Sequence, residues 1–449
     1  MSQALLTDLY QLTMASAYWS SGLQDREACF HMFFRRAPFG GAYAIACGFD
    51  RFVEWLEDYQ FDEQDVAYAA GLGHFPAEFL DHLRRLRMRC QVDAVAEGTV
   101  VFPNEPVVRV QGSIIEAQLI ETALLHFVNF PTLVATKASR VRTAAQGDTV
   151  LEFGMRRAQG GDGALAASRA AWIGGCDATS NLLAGEEYGV PVRGTHAHSW
   201  VLCFEEELDA FEAFARSMPH NCVLLVDTYD TMRGVQHAIE VGHRLRAEGH
   251  ELIGIRLDSG DLLSLSRQAR AALDAAGLPE TRIVASSDLD EHRVAELKAA
   301  GAPISVWGVG TRLVTAHDDP ALTGVYKLSA VRERGTAWKP RMKLSEDTSK
   351  ASDPGVLQVR RRPGFGGDVV FDVDLGCAAI GRDLLEPLFA NGERARPMPD
   401  ARRARARAEE ELAALPDEFR ALDPTRPYPV QRDPLLLERI ETLTAEARA

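Results

Sequence analysis

The stretch LIGIRLDSGD, residues 252–261, joins a short, mostly apolar run directly to a polar cluster. Five other runs between residues 149 and 310 have the same form: TVLEF (149–153), VPVRGT (190–195), VLLVDT (223–228), RIVA (282–285) and PISVWG (303–308). Short apolar runs that alternate with helical patterns are typical of βα units and a parallel sheet. Because each run ends in polar residues or glycine, we predict an α/β barrel with its site at the carboxyl ends of the strands.

The composition narrows the class of protein. Sixty-four acidic residues against forty-nine basic ones give a net charge of −15, which disfavours nucleic acid or an anionic membrane as a partner. The opening MSQALLTDLYQLTM has no basic segment, and no apolar run approaches the roughly 18 residues of a membrane span. Seven cysteines without a CxxC pair indicate reduced, mostly buried thiols. We therefore expect a cytoplasmic protein with no nucleic-acid partner, no membrane partner and no disulfide.

Strand-like segments on both sides of the barrel region suggest a second domain. We predict residues 1–115 as the N-terminal part of this second domain, 116–322 as the barrel, and 323–395 as a return to the domain begun by residues 1–115. The returning runs are VYKLSAV, VLQVRR and DVVFDVDLG, and EGTVVFPNEPVVRVQGSI is expected to form a small antiparallel sheet. Residues 396–449 are expected to be helical, with the charge run ARPMPDARRARARAEEELAAL as a solvated helix or linker.

Two histidines, His196 and His198, follow one predicted strand in the motif GTHAHS (194–199). Our interpretation is that the two rings do not serve one site together. A histidine at a strand's carboxyl end suits a nucleophile or an acid–base group. A pair of structural histidines is the alternative.

Arg256 and Asp258 form the second candidate pair. Arg256 alternates with Ile255 and Leu257, so we expect its side chain to face the barrel interior. A guanidinium there is costly unless it binds an anion or a carboxylate. Asp258 is suited to a ribose hydroxyl or a metal-bound water, although the neighbouring Asp261 can simply cap the next helix.

Gly308 and Gly310 close the series of strands in VWGVGT. Glycines let backbone N–H groups approach a phosphate, and barrels often bind phosphate in the loops after their last strands. The spacing therefore predicts a phosphate site here.

With these residues in place, the chain resembles the nicotinate phosphoribosyltransferase family, type II phosphoribosyltransferases of NAD salvage. The resemblance rests on ordered motifs: TDLYQLTMA (7–15), FFRRAPFGGAYAIACG (33–48), EFGMRRAQGGDG (152–163), GTHAHS (194–199), IRLDSGD (255–261), VWGVGTRLVT (306–315) and RPYPVQRDPLLLERI (426–440). It implies an irregular α/β barrel with an α/β open sandwich domain formed from the N- and C-terminal parts of the chain.

The resemblance also assigns roles by position. His198 matches the histidine that ATP phosphorylates in the family, and Arg256 and Asp258 complete the implied catalytic set. Phe153 resembles the aromatic that stacks on the pyridine ring, and Tyr10 the one that closes the other face from a neighbouring subunit. The implied substrate-binding residues are Tyr10, Arg35, Phe153, Arg156, Asp177, Ser199, Asp227, Ser287, Asp288, Gly308, Gly310, Thr311 and Lys343.

The implied reaction is ATP-coupled transfer of phosphoribose from 5-phosphoribosyl 1-pyrophosphate to nicotinate, through a phosphohistidine at His198. ATP is a co-substrate, and Mg²⁺ enters with the substrate, with Asp227 and Asp258 as the protein groups nearest to it. The resemblance further implies a homodimer with shared active sites. Two alternatives stay open: a nicotinamide phosphoribosyltransferase, in which Asp177 would accept from an amide, and a ligand-binding homologue without catalysis.

Overall fold

The parallel strands expected from residues 149–310 are present in the computed structural model, which describes residues 3–344, 352–395, 397 and 400–448. The helices of this part of the chain are α1 (Leu9–Ser20), α2 (Phe49–Asp58), α3 (Glu63–Gly71), α4 (Ala77–Arg85), α5 (Ile114–Leu119), α6 (Glu121–Ala144), α7 (Gly160–Ile173), α8 (Leu182–Tyr188), α9 (His198–Val201), α10 (Glu207–Ser217), α11 (Thr231–Ala247), α12 (Leu262–Ala275), α13 (Glu291–Ala299), α14 (Thr311–Val314), α15 (Ala401–Ala414), α16 (Asp417–Arg420) and α17 (Pro434–Arg448). The strands are β1 (Glu27–Phe34), β2 (Ala44–Ile45), β3 (Gln91–Ala94), β4 (Val100–Val101), β5 (Val108–Ser113), β6 (Thr149–Glu152), β7 (Ala178–Thr179), β8 (Val223–Leu225), β9 (Gly254–Leu257), β10 (Arg282–Ala285), β11 (Val306–Val309), β12 (Gly324–Arg332), β13 (Lys339–Pro340), β14 (Leu357–Arg361), β15 (Asp368–Asp372), β16 (Arg382–Asp383), β17 (Glu386–Ala390), β18 (Glu393–Arg394) and β19 (Val430–Arg432).

The chain divides into two units. The first consists of Met1–Leu133 and Ala321–Ala449, and the second is Val134–Pro320. The division between them falls inside α6 rather than at the predicted 115/116 boundary. A continuous helix carries no turn or composition break, so the sequence offered no signal at that point. The predicted segments 323–395 and 396–449 belong to one unit together with the N-terminal part.

The second unit is built on six parallel strands in the order β7-β6-β11-β10-β9-β8. Its interior holds an apolar cluster to which Leu151, Val284 and Val306 contribute, with Phe153 and Val223 packed against it. The strands alternate with helices along the chain, as the apolar runs predicted. Their carboxyl ends therefore lie along one edge of the sheet.

One predicted strand is wrong. The run VPVRGT forms only an isolated bridge between Val192 and Thr179, where Pro191 can accept from the Thr179 N–H but has no N–H of its own. On its other side the segment reaches β8 through side chains. The Thr195 hydroxyl donates to the carbonyl of Val223, and the Leu225 N–H donates to the His196 ring at 3.2 Å. This segment thus connects the two edge strands, β7 and β8, and the predicted irregular α/β barrel is confirmed.

The first unit contains a seven-stranded sheet in the order β13-β12-β1-β5-β3-β17-β18 and a four-stranded sheet in the order β16-β14-β15-β19. Of the three returning runs, only VYKLSAV joins the N-terminal sheet, as β12 beside β1. The other two, β14 and β15, pair with each other in the second sheet, so their predicted place was wrong. Side chains link them to the first sheet instead: the Arg109 guanidinium donates to the Leu357 carbonyl, and the Leu357 N–H donates to the His31 ring.

The predicted small antiparallel sheet in EGTVVFPNEPVVRVQGSI is also wrong in its pairing. Within that segment β4 pairs with β2, whereas β5 joins β1 and β3 in the seven-stranded sheet. The charge run that ends at residue 415 does form a helix, α15, but not a fully solvated one. Its buried face includes Ala404 and Ala408, and Glu411 on that face accepts hydrogen bonds from Arg361 and Arg382.

The stretch Ile114–Ala144 has the length and mean hydropathy, 1.3, of a membrane-spanning helix, contrary to the expectation that no run would approach one. Within the protein, 61% of that apolar window is buried, as in the core helix of a globular protein. Its buried end also carries Lys137 and Arg140, whose cations lie 2.8 Å from the two carboxylate oxygens of Glu291. All seven cysteines are free, and five of them are buried.

Lys137→Met tests this buried ion cluster. Lys137 and Glu291 are fully buried, so removing one cation leaves a poorly compensated carboxylate in the interior. We expect the free energy of unfolding to fall by about 3 kcal/mol, measured by chemical denaturation. Arg293→Met is the matched control, because its partner Glu296 is exposed and its loss is expected to cost less than about 0.5 kcal/mol. Equal effects of the two substitutions would contradict this account.

Candidate active site

The carboxyl ends of the barrel strands carry most of the polar side chains that the sequence singled out. Phe153 follows β6, Asp227 and Thr228 follow β8, Asp258 follows β9, and Ser286 follows β10. The parallel register places Leu225, Arg256 and Val284 side by side on neighbouring strands. The residues just beyond them therefore lie close together at one end of the barrel.

Arg256 is the centre of this cluster. Its Nε donates to Ser286 Oγ at 2.6 Å and its Nη2 donates to Asp258 Oδ1 at 2.9 Å. Ser286 Oγ donates in turn to the same Asp258 oxygen at 2.6 Å. The guanidinium carbon lies 5.8 Å from the centre of the Phe153 ring. Because Arg256 pairs in register with Val284 of the interior cluster, its charge lies inside the barrel, where these contacts compensate it.

Asp227 braces the loop that carries Asp258. Its Oδ2 accepts from the Asp258 N–H at 2.8 Å and from the Ser259 hydroxyl at 2.7 Å. Its Oδ1 is buried and has no hydrogen-bond partner among the described residues. An unsatisfied carboxylate oxygen in such a place is an available acceptor for a ligand hydroxyl, a water or a cation. In the described part of the chain, no group of three or more His, Cys, Asp or Glu side chains is arranged to hold a metal ion.

The two histidines of GTHAHS occupy different surroundings. His196 is buried against Phe211 and Phe214, its Nε2 accepts from Leu225, and burial lowers the pKa of His196 to about 4. His198 is partly exposed, with Nδ1 3.1 Å from the Thr228 hydroxyl and Nε2 3.7 Å from Asp258 Oδ2. His196 is therefore uncharged at neutral pH and packs in the protein interior, whereas His198 faces the Arg256–Asp258 cluster.

Gly308 makes room for the Phe153 ring. A Cβ built on Gly308 would lie 2.8 Å from an edge carbon of that ring and 3.1 Å from Ser286 Cβ. The Phe153 N–H donates to the Val309 carbonyl at 2.8 Å, which fixes the backbone beneath the ring. The aromatic ring therefore sits on a glycine in the neighbouring strand, at the base of the cluster.

The loops after β10 and β11 are held together by Arg312. Its guanidinium contacts Asp288 at 3.2 Å and Asp290 at 3.0 Å. Asp288 has a φ of 41°, a left-handed conformation that is uncommon for a residue with a side chain. Gly310 is the residue before α14, and Thr311 is the first residue of that short helix. The predicted phosphate-binding residues Ser287, Asp288, Gly310 and Thr311 thus lie in two adjoining loops at the carboxyl end of the barrel.

Asp177 is the clear correction. It immediately precedes β7, and its carboxylate accepts from the Val150 N–H at 2.9 Å and from Arg142 at 3.0 Å. Val150 lies near the start of β6, so Asp177 is at the amino end of the strands, opposite to the cluster. The expectation that it contacts a substrate ring is not supported. Two other predicted residues, Arg156 and Ser199, are exposed after β6 and in α9.

Tyr10, Arg35 and Lys343 belong to the first unit. Tyr10 is 47% exposed on α1, and Lys343 is exposed. Arg35 lines a cavity of about 290 Å³ within that unit, together with Lys327 and Arg432. The cavity also contains Asp353, which pairs with Arg432 at 3.0 Å. Arg35 and Lys327 therefore give this cavity a net positive lining.

Sequence reasoning missed Ser286 and Thr228. The signal for Ser286 was available, because Val284 faces the interior and the residue two positions later returns to that face. Ser287 was chosen from its motif instead, whereas Ser286 carries the contacts with Arg256 and Asp258. No comparable signal pointed to Thr228, because its contact with His198 depends on where the loop that carries His198 lies.

Comparison with known proteins bears on this geometry. The family descriptions that match are the nicotinate phosphoribosyltransferase (NAPRTase) N-terminal domain over residues 5–129, the NAPRTase family over 149–363 and the nicotinate phosphoribosyltransferase C-terminal domain over 379–438. The chain is 47% identical over 432 residues to the nicotinate phosphoribosyltransferase pncB2 of Mycobacterium tuberculosis strain H37Rv, covering 95% of this chain and 91% of that protein. It is 45% identical over 361 residues to the nicotinate phosphoribosyltransferase of Bacillus subtilis, covering 80% and 73%.

Among solved structures, the crystal structure of human nicotinic acid phosphoribosyltransferase matches with a TM-score of 0.85 at 32% identity, covering 97% of this chain and 99% of that one. The fold and the barrel-end cluster define a phosphoribosyltransferase of the barrel type. The chain belongs to the nicotinate phosphoribosyltransferase family, whose function lies in NAD salvage.

Gly308→Ala tests the seat of the Phe153 ring. The added methyl would clash with the ring, so we expect the KM for nicotinate to rise about tenfold while the protein stays folded. Steady-state kinetics and a thermal melt measure the two effects. Gly71→Ala, in α3 with open space around it, is the matched control and should leave both unchanged. A normal KM in Gly308→Ala would show that the ring position is unimportant.

Proposed function

We propose that this chain transfers phosphoribose from 5-phosphoribosyl 1-pyrophosphate to nicotinate, coupled to ATP hydrolysis through phosphorylation of His198. Family membership supports the transferase activity in NAD salvage. The observation that carries the site assignment is the Arg256 guanidinium, held beside the Phe153 ring by Ser286 and Asp258. The products are nicotinate mononucleotide and pyrophosphate.

The Phe153–Arg256 pair suits an aromatic carboxylate. The ring of Phe153 offers a face on which a pyridine stacks. Arg256 has five N–H donors and uses two of them on Ser286 and Asp258, which leaves donors for the carboxylate of nicotinate. Arg156 is exposed on the loop after β6 and is the second proposed cation. Charge-assisted bonds to a carboxylate are roughly twice as strong as neutral ones, so the two arginines favour the acid over the amide.

The transfer needs little proton chemistry from the protein. A pyridine nitrogen already carries a lone pair, so its attack on C1 of the ribose requires no general base. Asp227 and Asp258 are the proposed partners of the ribose hydroxyls, since Asp227 Oδ1 is buried without a partner among the described residues. The proposed phosphate site consists of Ser287, Asp288 and Gly310 in the loops, Gly308 in β11 and Thr311 at the start of α14. Catalysis then comes from positioning and from stabilising the leaving pyrophosphate.

The residues present fit a magnesium ion that enters with the substrate. Mg²⁺ is usually bound by one or two carboxylates together with substrate phosphates, and Asp227 and Asp258 adjoin each other through a 2.8 Å hydrogen bond. When bound, the ion would neutralise charge on the pyrophosphate. The protein's own part is to keep both carboxylates oriented toward the cluster.

His198 is the proposed acceptor of the phosphoryl group. If Nδ1–H donates to Thr228, as the 3.1 Å contact allows, Nε2 carries the lone pair. The phosphoryl group passes from ATP to that nitrogen, releasing ADP, and later hydrolysis of the phosphohistidine restores the ring. Asp258, 3.7 Å from Nε2, links this event to the substrate cluster.

We also propose a homodimer with shared active sites. Tyr10, Arg35 and Lys343 lie in the first unit. The resemblance implies that Tyr10 closes the pyridine site of a neighbouring subunit and that Arg35 and Lys343 reach the pyrophosphate. The exposed Tyr10 ring and the positively lined cavity with Arg35 support this assignment. We place the enzyme in the cytoplasm, on the strength of its free, mostly buried cysteines.

The amide alternative loses its main argument. It depended on Asp177 beside the ring, and that carboxylate is tied to Val150 and Arg142 at the amino end of the strands. The direct test is mononucleotide formation from phosphoribosyl pyrophosphate, Mg²⁺ and ATP, with nicotinate and nicotinamide in parallel. We expect turnover of nicotinate with release of ADP. Turnover of nicotinamide alone would contradict the proposal, and turnover of neither would favour a non-catalytic homologue.

His198→Ala separates the ATP coupling from the transfer itself. We expect loss of ATP-stimulated turnover, because the acceptor nitrogen is gone, while some ATP-independent product formation remains. Rates with and without ATP measure the effect. His220→Ala is the control, since that exposed histidine precedes β8 at the opposite end of the strand. Unchanged ATP stimulation in His198→Ala would remove the phosphohistidine assignment.

Mixing two impaired variants tests the shared sites. Tyr10→Ala and His198→Ala homodimers should each be impaired in nicotinate turnover with ATP. On co-expression about half of the dimers should be heterodimers, and each heterodimer carries one intact site of two. Activity should therefore return to about a quarter of the wild type. Separately purified dimers, assayed together without subunit exchange, provide the control. Absence of complementation, or a fully active monomer by light scattering, would contradict the shared-site proposal.

A further inference from the structure

Glu152 is a buried carboxylate to which neither the resemblance nor the proposed reaction assigns a role. It is the last residue of β6 and has no exposed surface. Its neighbours Leu151 and Phe153 both pack with the apolar cluster inside the barrel. Because side chains alternate along a strand, the Glu152 side chain faces the opposite side of the sheet. The Glu152 side chain instead meets Ser168 of α7, on the helical side of the sheet.

Three donors converge on this carboxylate. Ser168 Oγ donates at 3.0 Å and Thr179 Oγ1 at 2.5 Å, both to Oε2, and the Gly154 N–H donates to Oε1. Ser168 and Thr179 are each 1% exposed, so water does not compete for these bonds. A carboxylate only accepts, and it therefore fixes the direction of all three donors. Burial of a carboxylate is costly, and the three bonds offset that cost.

The bond to Gly154 decides the shape of the turn after β6. The Gly154 backbone passes so close to α14 that a Cβ there would lie 2.4 Å from Val314. On one side of it the Phe153 N–H donates to Val309, and on the other the Arg157 N–H donates to the Gly154 carbonyl at 2.7 Å. The turn that presents both Phe153 and Arg156 is thus held at its centre by Glu152.

We propose that Glu152 is a positioning residue for the pyridine-binding face of the site. Acting through the Gly154 N–H, it sets the place of the Phe153 ring and of the short helical turn with Arg156, without touching substrate itself. This inference rests on the proposed function, in which Phe153 and Arg156 receive nicotinate. It predicts that loss of Glu152 raises the KM for nicotinate far more than the KM for phosphoribosyl pyrophosphate.

The test compares Glu152→Ala, Glu152→Gln and Ser168→Ala by steady-state kinetics. In Glu152→Ala we expect the KM for nicotinate to rise about tenfold and that for phosphoribosyl pyrophosphate to change by less than about twofold. Glu152→Gln should restore a near-normal nicotinate KM, because its amide oxygen can accept from Gly154. Ser168→Ala loses a buried hydroxyl but keeps that bond, so its nicotinate KM should stay normal even if its melting temperature falls.

Hydrogen exchange supplies a readout that does not depend on turnover. The peptide spanning residues 153–157 should exchange faster in Glu152→Ala and at the wild-type rate in Glu152→Gln. A merely structural role would lower kcat or the melting temperature and leave both KM values and this exchange unchanged, which would overturn the inference. Wild-type enzyme without nicotinate turnover would overturn the proposed function, and with it the ligand of this face. An active wild type beside a Glu152→Ala with normal nicotinate KM would overturn this inference alone.

Discussion

A guanidinium inside a barrel is the constraint on which the site depends. Arg256 points among apolar side chains, and its charge is tolerable only because Asp258, Ser286 and the Phe153 ring surround it. These groups come from three strands that share nothing but parallel register. A slip of one residue in β9 would turn Arg256 toward the helices and separate it from all of them. The register of the sheet therefore determines whether the groups of the site meet.

The strand β6 serves the site from both of its faces. Toward the interior it delivers Phe153 onto Gly308, and toward the helices it buries Glu152 beneath α7. Packing of the βα unit and presentation of the ring thus depend on the same few residues. This explains why a buried carboxylate that does not touch substrate lies so close to the chemistry.

Local pattern predicted much of this arrangement. Apolar runs ending in polar clusters gave the strand ends, and alternation placed Arg256 inside the barrel. Prediction failed where tertiary contacts replaced local rules. The run VPVRGT is held by the Thr195 hydroxyl and the His196 ring rather than by a ladder, and β7 has only two residues. Asp177 immediately precedes β7 and lies at the amino end of the strands, a position that its local sequence does not reveal. Runs β14 and β15 were recognised as strands, but no local feature says which sheet a strand joins.

The first unit is assembled from the two ends of the chain. In β1, Cys29 lies opposite Ala330 of β12, so about three hundred residues separate two strands that are neighbours in one sheet. During synthesis β1 leaves the ribosome long before its partner β12 exists, whereas every strand of the barrel is made within one continuous stretch. Contacts between distant residues also form slowly. The barrel can thus be complete while β1 still presents an unpaired edge, and this interval is the period in which the nascent chain is most exposed to aggregation.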